Sequence, residues 1–205
     1  MSLFPMFVKL AERRVVVVGG GEIAAGKIAG LLQAGADVRI VSPALNSTLA
    51  TLVRENKIEW SEKKFAPEDL EGAFLVIAAT SIPSVNESVY RAADACGVLC
   101  NAVDDIQNCH FYYGSVVQRG DLQIAISTNG KSPALAQRLR KELEAQFGPE
   151  YESWIEWLGA AREVLRAASV AQEQNKEVLH NLASRRMYDR FVRDSKRAPS
   201  TEGVQ

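Results

Sequence analysis

Residues 14–32 read RVVVVGGGEIAAGKIAGLL, and this stretch decides the fold. Four consecutive β-branched valines, Val15 to Val18, run straight into glycine, the pattern of a short strand buried on both faces of a parallel sheet. Gly19, Gly21 and Ala24 then stand at the spacing of a dinucleotide fingerprint with alanine in third place. In that pattern the first glycine permits a tight turn and the second lets backbone approach a pyrophosphate. The small third residue keeps the helix close to the strand. Residues 22–32 continue helically, so the first N–H groups of that helix would face the phosphates. Glycine turns between strand and helix also occur without a ligand, but here residues 37–42 (DVRIVS) supply a second strand after Gly35 ends the helix. A carboxylate usually ends that second strand and holds the ribose 2′-hydroxyl. Ser42 and Pro43 stand there instead, followed by Ala44, and no arginine comes next to claim a 2′-phosphate. These residues leave NAD and NADP open.

Working outward, strands are expected at 14–18, 37–42, 58–62, 74–78 and 98–103. They alternate with helices at 22–34, 46–55 and 84–96 and a short helix around 67–70. Such alternation demands right-handed crossovers and a parallel sheet with helices on both faces. Residues 1–110 therefore read as a doubly wound, Rossmann-like α/β domain. Two further strands, 111–118 and 122–127, flank the turn Arg119-Gly120-Asp121. In the second of them Leu122, Ile124 and Ile126 alternate with Gln123, Ala125 and Ser127. No helix of the nucleotide domain covers that apolar face, so a second subunit is the economical cover, and 111–148 reads as a dimerisation and substrate-side region. Ser132 is a good N-cap and Pro133 a good first helical residue for a helix to about Phe147. Two amphipathic helices are expected in 149–194, one carrying Trp154, Trp157, Leu158, Ala161, Val164 and Leu165, the other Val178, Leu182, Met187 and Phe191. The small, polar residues 195–205 are expected to be disordered.

Charge is nearly balanced, 24 Lys+Arg against 25 Asp+Glu, which argues against a protein that binds nucleic acid by neutralising phosphates. No apolar run reaches the length of a membrane span and the start MSLFPMFVKL lacks a charged leader, so the cytoplasm is the expected location. Cys96, Cys100 and Cys109 are an odd set without a secretion signal and read as reduced thiols. With His110 they fit no compact zinc spacing, and no metal site is expected.

Several polar groups could carry chemistry. Asp104 and Asp105 follow the fifth strand on the edge where open parallel sheets bind ligands. Either could accept a proton or simply cap a loop. Asn101 and Asn86 are similar polar candidates nearby. The small residues Ala78, Ala79, Thr80 and Ser81 suit a cofactor lying across the strand ends. Thr128 to Pro133 offers two hydroxyls, Lys131 and a helix amino terminus, suited to a carboxylate-bearing ligand and equally to a well-capped helix start. Lys27, Arg138, Arg140 and Lys141 read as solvated helix faces, and His110 and His180 as surface or packed histidines.

Together the segments LFPMFVKL, VVVVGGGEIAAGKIAGLLQAGADVRIVSP, VIAATSIPSVN, CNAVDD and AISTNGKSPALAQRLRKELE resemble one family over residues 3–148. It is the precorrin-2 dehydrogenases of siroheme synthesis, including the amino-terminal module of bifunctional siroheme synthases. The resemblance implies oxidation of precorrin-2 to sirohydrochlorin with NAD, on the way to siroheme or cobalamin, and in some members insertion of ferrous iron. It implies cofactor contacts at Gly19, Gly21, Glu22, Ile23, Ala24, Ser42, Pro43, Ala44 and Thr80. It places Asp104 near the reacting centre and the carboxylate-rich tetrapyrrole against Asn101, Thr128, Asn129, Gly130, Lys131 and Ser132. It further implies a homodimer. His110 stands where relatives often carry Ser or Thr, and Gly114 where many carry proline. The fused methyltransferase domain of some relatives does not fit within 205 residues. Two other readings stay open: a nucleotide-sensing regulatory domain, and a binding or scaffold protein without catalysis.

Overall fold

The computed structural model describes residues 3–168 and 172–197. They form two compact units that divide between Tyr113 and Gly114. The first contains β1 (Arg14–Val18), α1 (Glu22–Gln33), β2 (Asp37–Val41), α2 (Ser47–Arg54), β3 (Glu59–Ser61), a 3₁₀ turn (Pro67–Leu70), β4 (Leu75–Ala78), α3 (Pro83–Cys96), β5 (Leu99–Ala102) and a second 3₁₀ turn (Ile106–Asn108). Its five strands are all parallel, in the order β3-β2-β1-β4-β5.

The unbroken valine run follows from this position at the centre of the sheet. Val15 and Val17 face a core with Ala24, Ile28 and Leu31 of α1 and Leu49 of α2. Val16 and Val18 face the opposite core, with Leu70 and with Val89 and Ala93 of α3. A strand covered on both faces has no polar side to show, so alternation disappears from its sequence. This is the Rossmann-like, doubly wound sheet expected from the pattern.

The second unit holds β6 (Ser115–Arg119), β7 (Leu122–Ile126), α4 (Pro133–Gln146), α5 (Glu150–Ala167), α6 (Gln172–Leu182) and α7 (Arg185–Arg197). β6 and β7 are antiparallel, with Val117 opposite Ile124 and Arg119 opposite Leu122. Val117 is buried and Leu122, Ile124 and Ile126 are half-buried, because α4 and α5 pack on the sheet. A second subunit was expected as the economical cover for this face; helices of the same unit cover it instead. Arg119 fastens the arrangement, its Nε donating to the carbonyl of Phe147 at 2.9 Å and its Nη2 to that of Glu144 at 3.1 Å. Those are carbonyls at the end of α4, which the helix itself leaves without partners.

Ser132 caps α4 as expected, accepting from the Leu135 N–H at 3.2 Å, with Pro133 next. The carboxyl-terminal region differs from expectation, since among the described residues three helices follow α4 rather than two. The step of five residues from Leu182 to Met187 breaks the helical register that a single helix would need. Ser184 sits in that gap and restarts the chain, its Oγ accepting from the Met187 N–H, as serine does at helix starts. Tyr151, Trp154 and Tyr188 then join α5 to α7 as an aromatic cluster, with ring centroids 4.5 to 5.5 Å apart. α7 continues through Ser195, Lys196 and Arg197, residues expected to be disordered; the rest of that tail, 198–205, lies outside the described residues. No described helix is long and apolar enough to cross a membrane.

Ile77 is fully buried in the core against α1 and α2. Ile77→Ala should cost about 2–5 kcal/mol in urea unfolding, the usual range for such a truncation. Thr48→Ala, at an exposed position of α2, should stay within about 0.5 kcal/mol of the parent.

Candidate functional site

An open parallel sheet binds ligands outside the carboxyl ends of its strands, where the strand order reverses. Here the chain leaves β1 for β2 on one side and returns to β4 on the other, so the crevice opens above β1 and β4. The glycine turn runs through it under tight steric limits. Gly19 has φ +123, and a Cβ there would stand 2.4 Å from the Ala79 carbonyl oxygen. A Cβ on Gly20 would stand 1.9 Å from the Ala44 carbonyl oxygen. Gly21 is different, with open space where its Cβ would be. As N-cap of α1 it offers no side chain to the first-turn N–H groups, which carry the positive end of the helix dipole. Ala24 is fully buried behind them. An open cradle of uncapped amides beside a glycine fits a dinucleotide pyrophosphate.

Beside this cradle lies the loop after β2. Ser42 is buried, and its hydroxyl donates to the Ala44 carbonyl at 2.7 Å. Its own carbonyl accepts from Trp60 Nε1 at 3.0 Å. Ser42 thus shapes the loop, while Pro43 and Ala44 are exposed. Asn46 ties the loop to the glycines: its N–H donates to the Gly20 carbonyl at 2.8 Å and its Nδ2 to Glu22 Oε1 at 2.7 Å. Asn46 was legible as a helix start, but its link to Glu22 was not. Ile23 is 48% exposed at the mouth of the cradle. Thr80 and Asn86 close the turn after β4. The Thr80 hydroxyl lies 2.7 Å from Asn86 Oδ1, and Asn86 Nδ2 donates to the Thr80 carbonyl at 3.0 Å. Asn86, a candidate polar group, is a buried lock.

Register brings the next carboxylate to the same edge. Ala78 pairs with Ala102, so Thr80 and Asp104 each lie two residues beyond their strand ends. Asp104 has φ 61, a left-handed conformation that aspartate tolerates better than most residues. It is exposed, and its carboxylate has no hydrogen bond or ion pair among the described residues. Asp105 is used up: it accepts from the N–H groups of Gln107 and Asn108 and, at 2.6 Å, from Asn108 Nδ2. Asn101 is buried, its Nδ2 donating to the Phe111 carbonyl at 2.8 Å, so that nitrogen is committed to holding the following segment. His110 Nδ1 accepts from the Cys100 N–H at 3.0 Å and so carries no proton, while Nε2 meets Asp94 Oδ1 at 3.1 Å. That makes His110 a structural histidine. Burial pushes the Cys100 thiol up to about 12, so it stays protonated. Lys27 is half-buried rather than fully solvated: its ammonium sits 4.0 Å from the centroid of the Tyr113 ring, a cation–π contact.

In the second unit, residues 128–132 form a tight turn with Asn129 at φ 53 and Gly130 at φ 74. The Ser132 N–H donates to Thr128 Oγ1 and the Lys131 N–H to the Thr128 carbonyl, both at 3.1 Å. Thr128 Oγ1 accepts here and Ser132 Oγ accepts from the Leu135 N–H, so both hydroxyls retain their protons for donation. Lys131 is exposed with no ion pair among the described residues.

Residues 6–115 match a protein family described as "Putative NAD(P)-binding", and residues 119–146 match one described as sirohaem biosynthesis protein central. A siroheme synthase of Neisseria meningitidis is 43% identical over 166 residues, 81% of this chain and 34% of that protein. Siroheme synthase 1 of Yersinia enterocolitica is 47% identical over 145 residues, 71% of this chain and 31% of that protein. The chain spans about a third of the length of these curated relatives. Among solved structures, SirC, a precorrin-2 dehydrogenase, is similar with a TM-score of 0.78 at 25% identity, over 95% of this chain and all of that one.

The glycines make opposite predictions. Gly20→Ala should destabilise the first unit by about 1–3 kcal/mol, since backbone must move to admit the methyl. Gly21→Asp should leave the melting temperature near the parent's yet weaken NAD binding by about a hundredfold or more, through the charge it sets against the pyrophosphate. Calorimetric titration paired with thermal melting separates the two effects.

Proposed function

This chain belongs to the NAD(P)-binding family matched over residues 6–115, and we propose that it oxidises precorrin-2 to sirohydrochlorin with NAD. The observation that carries this reading is the placement of Asp104. An unpaired carboxylate in a strained backbone conformation stands on the same sheet edge as the nucleotide cradle, and strain of this kind gathers at working sites. NAD, held there, would supply the hydride acceptor. Loss of two hydrogens from the substrate leaves a proton to be removed, and the carboxylate of Asp104, at the end of β5, is free to take it. Gly19, Gly21 and the first-turn amides of Glu22, Ile23 and Ala24 would hold the dinucleotide, with Pro43, Ala44 and Thr80 along its flanks. Ser42 and Asn101 support these positions from behind.

The relatives' names and the siroheme-linked segment at 119–146 support the choice of substrate. Precorrin-2 is rich in carboxylates, and the 128–132 turn offers Lys131 and two hydroxyl donors suited to such groups. Insertion of ferrous iron into the product belongs to the same proposal as a second step, with iron as substrate and Asp104 taking a pyrrole proton. Self-association belongs to it too: β6 and β7 form a two-stranded sheet with an unpaired edge on each side, and such edges invite a second copy. The three unpaired thiols suit a reducing compartment, the cytoplasm.

The decisive assay follows NADH formation from precorrin-2 and NAD. Asp104→Asn, which keeps the size and tolerates the backbone angle, should lower turnover by about two orders of magnitude or more, with NAD affinity within a few-fold of the parent. NAD binding without NADH formation in the parent would favour a nucleotide sensor instead. Asp105→Ala is no clean control, because it removes the cap of the following 3₁₀ turn. Light scattering at micromolar concentration should report a dimer; a monomer would remove that part of the proposal.

A further inference from the structure

The choice between NAD and NADP, open in the fingerprint, turns on the corner where the adenosine ribose lies. A carboxylate about twenty residues past the glycines ordinarily accepts from the ribose 2′-hydroxyl. At that position Ser42 is 7% exposed and its hydroxyl is committed to the Ala44 carbonyl. Pro43 and Ala44 carry no side-chain hydrogen-bonding group, and residues 42–48 contain no lysine or arginine to receive a 2′-phosphate.

Another carboxylate faces the same corner. Glu22 is the first residue of α1, and its Oε1 accepts from Asn46 Nδ2 at 2.7 Å. Asn46 belongs to the loop that follows β2, and it is fixed at three points. Its N–H donates to the Gly20 carbonyl at 2.8 Å, its Oδ1 accepts from the Leu49 N–H at 2.9 Å, and its Nδ2 holds Glu22. Serine, threonine or aspartate would cap α2 equally well. Aspartate has no proton to donate, and the single oxygen of serine or threonine would have to accept and donate at once, whereas the amide divides the two tasks between Oδ1 and Nδ2. Asn46 therefore points the Glu22 carboxylate towards the β2 loop, and Oε2 of Glu22 has no partner among the described residues.

We infer that Glu22, oriented by Asn46, replaces the missing β2 carboxylate and makes this site selective for NAD over NADP. The free oxygen accepts from the 2′-hydroxyl of NAD. Its charge, with no neighbouring cation in the loop, opposes the 2′-phosphate of NADP. Glu22 determines specificity and Asn46 is its positioning residue. The inference rests on the NAD(P)-binding reading of this chain.

The test is titration of the protein, without substrate, by NADH and NADPH, following nucleotide fluorescence, with thermal melting as the folding control. The parent should prefer NADH. Glu22→Gln removes the charge and keeps a hydrogen-bonding group, and should reduce that preference by about tenfold or more, mainly by tightening NADPH. Asn46→Ser keeps the cap of α2 but removes the Nδ2 donor from Glu22, and should reduce the preference by a smaller factor. An unchanged preference in Glu22→Gln overturns the inference. So does an equal loss of both nucleotides with a lowered melting temperature, which would mean that Glu22 only stabilises the start of α1. A parent that binds both equally overturns the inference alone. A parent that binds neither overturns it together with the reading on which it rests.

Discussion

The glycine turn after β1 passes so close to its neighbours that backbone replaces side chain at two successive positions. Gly19 lies against the carbonyl of Ala79 beyond β4, and Gly20 against that of Ala44 beyond β2. The turn is thus wedged between the ends of the two strands that flank β1 on either side. Everything at the site follows from this wedge. It sets the start of α1 directly over the strand ends and leaves Gly21 facing open space. It also brings Asn46 within hydrogen-bonding distance of Gly20 and Glu22. A methyl group at Gly20 would push the two loops apart, and with them the geometry that holds Glu22.

Around that wedge most polar groups serve to hold loops. Ser42, Asn86, Asn101, Asp105 and His110 all look like ligands by residue type and place. Each spends its hydrogen-bonding capacity on nearby backbone or side chains. Burying Ser42, Asn86 and Asn101 is tolerable only because they are satisfied. Their rigidity leaves two carboxylates with oxygens to offer, Glu22 on the cofactor side and Asp104 at the end of β5. Asp104 can be free because its neighbour caps the next turn: Asp105 accepts the N–H groups of Gln107 and Asn108, and Asp104 has no such task.

The second unit uses one long cation for a comparable purpose. Arg119, at the end of β6, reaches the last carbonyls of α4 and fastens the helix to the sheet face that carries Val117, Ile124 and Leu122. Guanidinium suits this task because its planar fork donates to several carbonyls at once. The apolar face of the hairpin is covered in this way within one chain.

The sequence by itself determined the nucleotide-binding half of the protein. A valine run that shows no alternation is stable only where both faces are covered, and the glycines, helix and second strand that follow it complete the dinucleotide pattern. Cap residues with local partners were equally legible: Ser132 acts on Leu135 three residues away, and Asn46 on Leu49. The residue types around Asp104 were legible as candidates, but their division into locks and free groups was not. That division depends on which backbone group folds back to meet each side chain, as Phe111 meets Asn101 and Cys100 meets His110, ten residues apart in each case. The break between α6 and α7 was written in the five-residue step from Leu182 to Met187, and was missed where hydrophobic spacing was read without its phase. Only tertiary structure decided that α4 and α5 cover the hairpin and that Glu22 leans on Asn46, twenty-four residues away. Periodicity records which side of an element is apolar or polar; it holds no record of what that side meets, because the meeting is made by chain distant in sequence.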